Sequence, residues 1–229
     1  MIIQSKKVWI ADQFFAAAIE VEDGKIVNVL PYGSKPADVD YGDKRIVPGF
    51  LDIHCHGAYT FDTNDAHEEG LRNWTKGIVD EGVTALLATT ITQSEEVLTK
   101  AVANVAKVME EGYEGAEILG IHFEGPYLDM KYKGAQPEQF IVKGTKEQFE
   151  RYQAAAKGNI KYITMATETD EDFENMPYVF KVPADESPIN IKELLDFYKD
   201  NRNNPQGLIE NKGLSFNDLL NIKEVICFI

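Results

Sequence analysis

The sequence predicts an α/β protein built around a parallel sheet. Three observations carry this. From about residue 45, apolar runs of strand length alternate with stretches whose apolar residues recur at helical spacing, the signature of βαβ units. Each strand-like run ends in polar residues, at the sheet end where parallel α/β folds place their chemistry. Before that rhythm begins, residues 1–47 read as short strands and turns, a small β-domain.

In that first segment Lys7-Val8-Trp9-Ile10 is one apolar run. Ala18-Ile19-Glu20-Val21 and Ile26-Val27-Asn28-Val29-Leu30 flank Asp23-Gly24, and Asp-Gly between β-rich runs predicts a hairpin. The stretch 31–42, rich in Pro, Gly, Ser and Asp, predicts a loop. Residues 46–53 predict a single apolar strand. A helix is expected within 65–81, with Leu71, Trp74 and Ile78 on one side and Gly82 as its stop. A buried strand follows over 83–90. Thr92-Gln93-Ser94-Glu95 has the form of a capping box opening a helix that Gly112 closes. Residues 118–123 predict the next strand. Thr145-Lys146-Glu147-Gln148 opens another helix, and 160–166 form a fourth strand of this series. Beyond residue 175 the rhythm is lost: a Pro-bounded strand is expected within 176–183, a helix over 189–201 and a short helix from Ser215, an α-rich tail without an assigned fold.

The chain carries 38 Asp+Glu against 23 Lys+Arg, a net charge of -15, and no basic run, which argues against binding a phosphate backbone. No apolar stretch approaches the ~20 residues that span a bilayer, and the first residues lack the pattern of a secretory signal. Cys55 and Cys227 make no disulfide framework. The expectation is a cytoplasmic protein with partners that are neither nucleic acid nor membrane. A complete (β/α)₈ barrel typically takes ~250 residues, so 229 residues are expected to hold less than a barrel with an accessory domain.

The sharpest chemical feature is Asp52-Ile53-His54-Cys55-His56-Gly57. Residues two apart on a strand share a face, so Asp52, His54 and His56 point one way and Cys55 the other. Two imidazoles so placed can grip one metal ion, and imidazole suits zinc and iron; the competing reading is two polar histidines at a frayed strand end. In Ile121-His122-Phe123-Glu124-Gly125-Pro126-Tyr127, His122 and Glu124 also share a face. Glu124 could add a carboxylate to the same centre, or be an ordinary loop charge. His122 reads as a packed wall residue or a donor orienting a carboxylate, in preference to a ligand. His67, beside Glu68 and Glu69, reads as solvated surface. The long loop holding Lys131, Lys133, Gly134, Ala135 and Gln136 offers backbone amides and positive charge to a ligand, or is simply a solvated loop.

Residues 47–57 resemble the first-strand motif of the amidohydrolase superfamily. His122-Phe123-Glu124-Gly125-Pro126-Tyr127, with Lys133-Gly134-Ala135-Gln136, is similar to the N-acetylglucosamine-6-phosphate deacetylase family within it. The resemblance covers about 1–174. It implies a metal-dependent amide hydrolase on a TIM barrel, here a partial barrel of about four βα units over 48–174, after a small β-sandwich-like domain at 1–47. It also implies an amino-sugar phosphate substrate losing its acetyl group, Glu124 as a ligand of a divalent metal ion, and His54 and His56 as the pair holding a further metal. The metal expected is zinc or iron. Gly134, Ala135 and Gln136 fall in a substrate-contacting loop, and the family assignment allows a homo-oligomer. The family takes two more histidine ligands and an Asp general base from later strands. This chain has four histidines, at 54, 56, 67 and 122, and no Asp is assigned as general base. Residues 175–229 do not resemble the family. Two alternatives stand beside an incomplete deacetylase. One is an inactive fragment or chimera acting as a structural or binding domain. The other is a dihydroorotase-like or dipeptidase-like enzyme sharing only His54 and His56.

Overall fold

The computed structural model describes residues 1–166; the elements expected beyond residue 175 lie outside the described residues. The chain divides between Phe50 and Leu51 into two compact units.

The first unit is one sheet. Strands β1 (Ile2–Ile10), β2 (Gln13–Glu22) and β3 (Lys25–Pro31) form an antiparallel meander, and the two-residue strands β4 (Val39–Asp40) and β5 (Arg45–Ile46) run parallel to β1. The predicted hairpin is there: Glu22 pairs with Lys25 across Asp23 and Gly24, both at positive φ (48° and 73°). That is the two-residue turn whose twist matches the flanking strands. A small cluster of Val8, Ala17 and Ile19, with Ile3, Ile10, Val21 and Ile46 around it, is the apolar centre of this unit.

The predicted strand over 46–53 is two elements. β5 ends at Ile46, and β6 (Phe50–Cys55) begins after Val47-Pro48-Gly49. Proline has no N–H to give a ladder and glycine weakens a strand interior, so the apolar run is cut where these two meet.

In the second unit the strands lie in the order β6-β7-β8-β9, with β7 (Val83–Thr89), β8 (Glu117–Glu124) and β9 (Ile160–Thr164) paired in parallel. Helices α1 (Glu68–Ile78), α2 (Glu95–Glu111) and α3 (Lys146–Ala155) connect successive strands. α1 buries Leu71, Trp74, Thr75 and Ile78, the i, i+3, i+4, i+7 stripe of an amphipathic helix. α2 buries Leu98, Ala101, Val102, Val105 and Val108. Against these pack Leu86 and Ala88 of β7, Ile121 and Phe123 of β8 and Ile163 of β9, one continuous core. Alternation along each strand then turns His54, Thr89, His122, Glu124, Tyr162 and Thr164 to the sheet face away from the helices. Cys55 faces the helix side, packed against the core. Among the described residues no helix is long and apolar enough to cross a membrane.

Two of the three helix starts show tertiary contacts deciding between local options. The cap of α2 is Ser94, whose Oγ accepts from Val97 N, and not Thr92. Thr92 N–H is already held by Gln136 Oε1 at 2.9 Å, so the chain turns into the helix two residues later. Thr145 caps α3 as predicted, accepting from Gln148 N at 3.2 Å. The reciprocal half of that box is replaced, because Gln148 Nε2 donates instead to Glu95 at the start of α2, 2.9 Å away. His67 is exposed, as expected for a solvated surface residue, and it also caps α1: its Nδ1 accepts from Gly70 N at 3.0 Å.

Leu98 is fully buried where α2 meets the sheet. Leu98→Ala is expected to destabilise the fold by about 2–5 kcal/mol, whereas Lys100→Ala, which removes one exposed i,i+4 ion pair with Glu96, changes stability by less than about 0.5 kcal/mol. Urea unfolding of the two variants checks the contrast.

Candidate metal centre

The second sheet brings three of the sequence-predicted residues to one point. His54 is the penultimate residue of β6, His56 lies just past its end, and Glu124 closes β8. His54 Nε2 and His56 Nε2 each sit 3.1 Å from the same carboxylate oxygen, Oε2 of Glu124. Among the described residues these three form the one group of histidine, cysteine or acidic side chains able to hold a metal ion, with ligand atoms all within 4.8 Å of one another. The carboxylate is the least exposed member at 13%, and the imidazoles stand at the more open side at 47% and 33%. Glycine ends both strands for steric reasons. Gly57 has φ +150°, and a Cβ there would lie 2.1 Å from Phe61 O; Gly125 has φ +68°, and its Cβ would lie 2.0 Å from Thr92 Oγ1.

The electrostatics of the group are mutual. The hydrogen bond with Glu124 raises the pKa of His56, against a smaller opposing effect of burial. Burial alone would push Glu124 up, but the hydrogen bond from His56 and the charges of both imidazoles outweigh it and hold the carboxyl below its ordinary value. Two imidazole nitrogens and a carboxylate oxygen converging at one point are a donor set suited to a divalent ion such as zinc or iron. His56 Nδ1 is buried without a hydrogen-bond partner, and the Thr89 backbone raises the ring's pKa further. A metal-ligating histidine binds through one ring nitrogen and turns the other to the protein; in His56, Nε2 is the nitrogen at the shared point and Nδ1 the buried one. The residues present therefore fit the group.

The other predicted residues are placed differently. Asp52 shares the strand but stays out of the cluster: its Oδ1 accepts from His54 N at 3.0 Å. Gly134 and Ala135 are exposed, Gly134 at φ +60°. Gln136 is buried, and its side chain is engaged by Thr92 N. Lys133 turns its ammonium back into its own loop, to the carbonyls of Gly134 and Gln136 and to Glu138 at 3.3 Å, and Lys131 lies over the Tyr132 ring. His122, 1% exposed, binds no member of the triad through its nitrogens. Nδ1 lies 2.9 Å from Ile53 O and Nε2 2.7 Å from Thr164 Oγ1. Burial first, and the neighbouring charge of His54 second, push its pKa down to about 4. Thr89 and Thr164 carry no motif in the sequence; only pairing in the sheet reveals that they serve the site, Thr89 Oγ1 accepting from Cys55 N at 3.0 Å.

The fold and the paired imidazoles define the class: a model of the amidohydrolase family matches residues 45–176, and the chain belongs to that family. Among curated proteins it is similar to the N-acetylglucosamine-6-phosphate deacetylase of Bacillus subtilis (strain 168), 39% identical over 168 residues, which cover 68% of this chain and 41% of that protein. The Vibrio furnissii deacetylase of the same name is 33% identical over 160 residues, 69% of this chain and 40% of the relative. Of solved structures, the Pasteurella multocida N-acetylglucosamine-6-phosphate deacetylase superposes with a TM-score of 0.63 at 27% identity, over 74% of this chain and 46% of that one. The Mycobacterium smegmatis N-acetyl-D-glucosamine-6-phosphate deacetylase superposes at 0.65 and 25% identity, over 73% and 47%. The chain thus spans about two fifths of the length of the curated relatives it matches.

The pairing sets a pH window in the metal-free chain. A raised His56 pKa contributes stability below the ordinary imidazole value of 6.5, lost as pH climbs through the elevated one. A lowered Glu124 pKa contributes above the ordinary carboxylate value of 4.5, lost as pH falls through the depressed one. Both contributions are present together between those two ordinary values. Glu124→Gln is expected to bring the His56 pKa down and to flatten this window, as followed by NMR titration of the imidazole signals and by urea unfolding across pH.

Proposed function

We propose that residues 51–166 are the metal-holding front part of an amide hydrolase of the N-acetylglucosamine-6-phosphate deacetylase type, with the four parallel strands as the first half of a (β/α)₈ barrel and residues 1–50 as part of a small β-sandwich. The observation that carries this reading is the convergence of His54 and His56 on one oxygen of Glu124 at the C-terminal strand ends, where barrel enzymes of this architecture work. His54 Nε2, His56 Nε2 and Glu124 Oε2 would hold a divalent ion, zinc or iron. When bound, such an ion supplies Lewis acidity toward water and an amide carbonyl.

The chain's own residues then orient and hold. Glu124 keeps both imidazoles aimed at one point. Asp52 and Thr89 fix the β6 backbone on either side of His54 through its N–H and that of Cys55. Gly134, Ala135 and Gln136 are proposed to contact an amino-sugar phosphate. In support, the Gln136 side chain anchors the loop to Thr92, leaving Gly134 and Ala135 open to solvent.

A second reading, a binding domain without catalysis, is favoured by one specific observation: among the described residues His54, His56 and Glu124 are the one group able to hold a metal ion, and no Asp is assigned as a general base beside it. The purified 229-residue chain is expected to retain sub-stoichiometric zinc or iron after dialysis and to release no acetate from N-acetylglucosamine 6-phosphate. His54→Ala should lower the retained metal further. Elemental analysis with an acetate assay checks both: stoichiometric metal with acetate release overturns incompleteness, and metal retention indifferent to His54→Ala overturns the metal centre.

A further inference from the structure

His122 is a buried imidazole beside the metal centre that neither belongs to the ligand group nor reaches solvent. It sits on β8 two residues before Glu124, yet its nitrogens engage the strands on either side of the centre. A carbonyl only accepts, so the Nδ1 that lies 2.9 Å from Ile53 O carries the proton. Nε2 of the neutral ring then accepts from the Thr164 hydroxyl on β9, 2.7 Å away. Ile53 is the residue before His54, and the carbonyl that His122 holds belongs to the peptide whose N–H is His54's. That N–H donates to Asp52 Oδ1 at 3.0 Å. The 53–54 peptide is therefore pinned at both ends by side chains, His122 at its oxygen and Asp52 at its nitrogen. The His122 ring is also in edge contact with the His54 ring, centroids 4.7 Å apart, and is backed by Tyr162 at 4.4 Å.

We propose that His122 is a positioning residue for the metal centre: the chain Thr164 Oγ1–H to His122 Nε2, His122 Nδ1–H to Ile53 O fixes the peptide that carries His54 and so aims its Nε2 at the point shared with Glu124. The inference rests on the metal reading above and deepens it. A ligand held by a hydrogen-bonded neighbour loses typically 10–100-fold in metal affinity when that neighbour is removed. The wall formed by His122 is thus part of what makes three side chains one site.

The test uses the full chain with Co²⁺ as probe, titrated by visible absorption. His122→Phe keeps a ring of similar bulk but loses both hydrogen bonds, and Co²⁺ affinity is expected to fall about 10–100-fold. His122→Asn, whose amide can still donate to Ile53 O, should recover most of that loss. Thr164→Val, a near-isosteric change on the neighbouring strand, should weaken binding by a smaller factor. It also supplies a metal-free readout. With four histidines in the chain, the imidazole ¹³C–¹H signals are few, and Thr164→Val should move the His54 signal while leaving His67 in place. Unchanged Co²⁺ affinity in His122→Phe together with an unmoved His54 signal in Thr164→Val overturns the proposal, and a lowered melting temperature alone then marks His122 as packing. If the unsubstituted chain binds no Co²⁺, the metal reading falls, and the His54 signal in Thr164→Val decides the positioning role by itself.

Discussion

Two imidazoles and one carboxylate oxygen meet at 3.1 Å across a sheet in which their strands are not neighbours. β7 runs between β6 and β8, and neighbouring strands lie about 4.8 Å apart, so roughly twice that separation is bridged by side-chain length alone. This is possible only if both strands end level, if the residue of β7 at that height is small, and if nothing displaces either strand end. Just below that height Thr89 is small: it pairs with His122, two residues before Glu124, and its hydroxyl accepts from Cys55 N, fastening β6 to β7 beside the ligands. The third is met by glycines that let Phe61 O and Thr92 approach where any side chain would collide.

The same meeting explains the charge pattern of the sheet. A mostly buried carboxylate with no counter-charge is expensive, and Glu124 stands on the sheet face away from the helices with its side chain only 13% exposed. His54 and His56 supply the missing positive partner when protonated, and a divalent ion would supply it when they are not. The sheet's other face carries the opposite chemistry. Cys55, between the two histidine ligands, packs into the apolar core that α1, α2 and α3 cover. Alternation along one short strand thus separates a polar centre from a hydrocarbon layer, and the helix packing that holds the fold together is what keeps β6, β7 and β8 level.

Much of this was legible in the chain itself because the signals are local. The Asp23-Gly24 hairpin, the apolar stripes of α1 and α2, the strand runs and the alternation that pairs His54 with His56 all depend on residues within one element. Most of the features that escaped are those that a distant residue decides. Gln136 takes the N–H of Thr92 and moves the cap of α2 to Ser94. Glu95 takes Gln148 away from the cap of α3. Pro48-Gly49 divides an apolar run that hydropathy alone reads as continuous. His67 has no neighbouring signal other than its place before a helix. Thr89 and Thr164 matter through register, and register is a property of the assembled sheet.

The run His122-Phe123-Glu124-Gly125-Pro126-Tyr127 shows why a short motif can be specific. Its residues answer to different partners in turn. His122 faces the polar side and pins the peptide before His54. Phe123 turns into the helix layer against Phe149 and Tyr152. Glu124 returns to the polar side to receive both imidazoles. Gly125 closes on Thr92, at a distance that excludes a Cβ. Tyr127 packs back toward Phe123 and lends its carbonyl to Ala166 N. Exchanging neighbours in this order would put a charge into the hydrocarbon layer or a ring into the metal centre. The order is thus set by alternation and close approach on a single strand end, with the chemistry at every second position and the packing that holds it in place between.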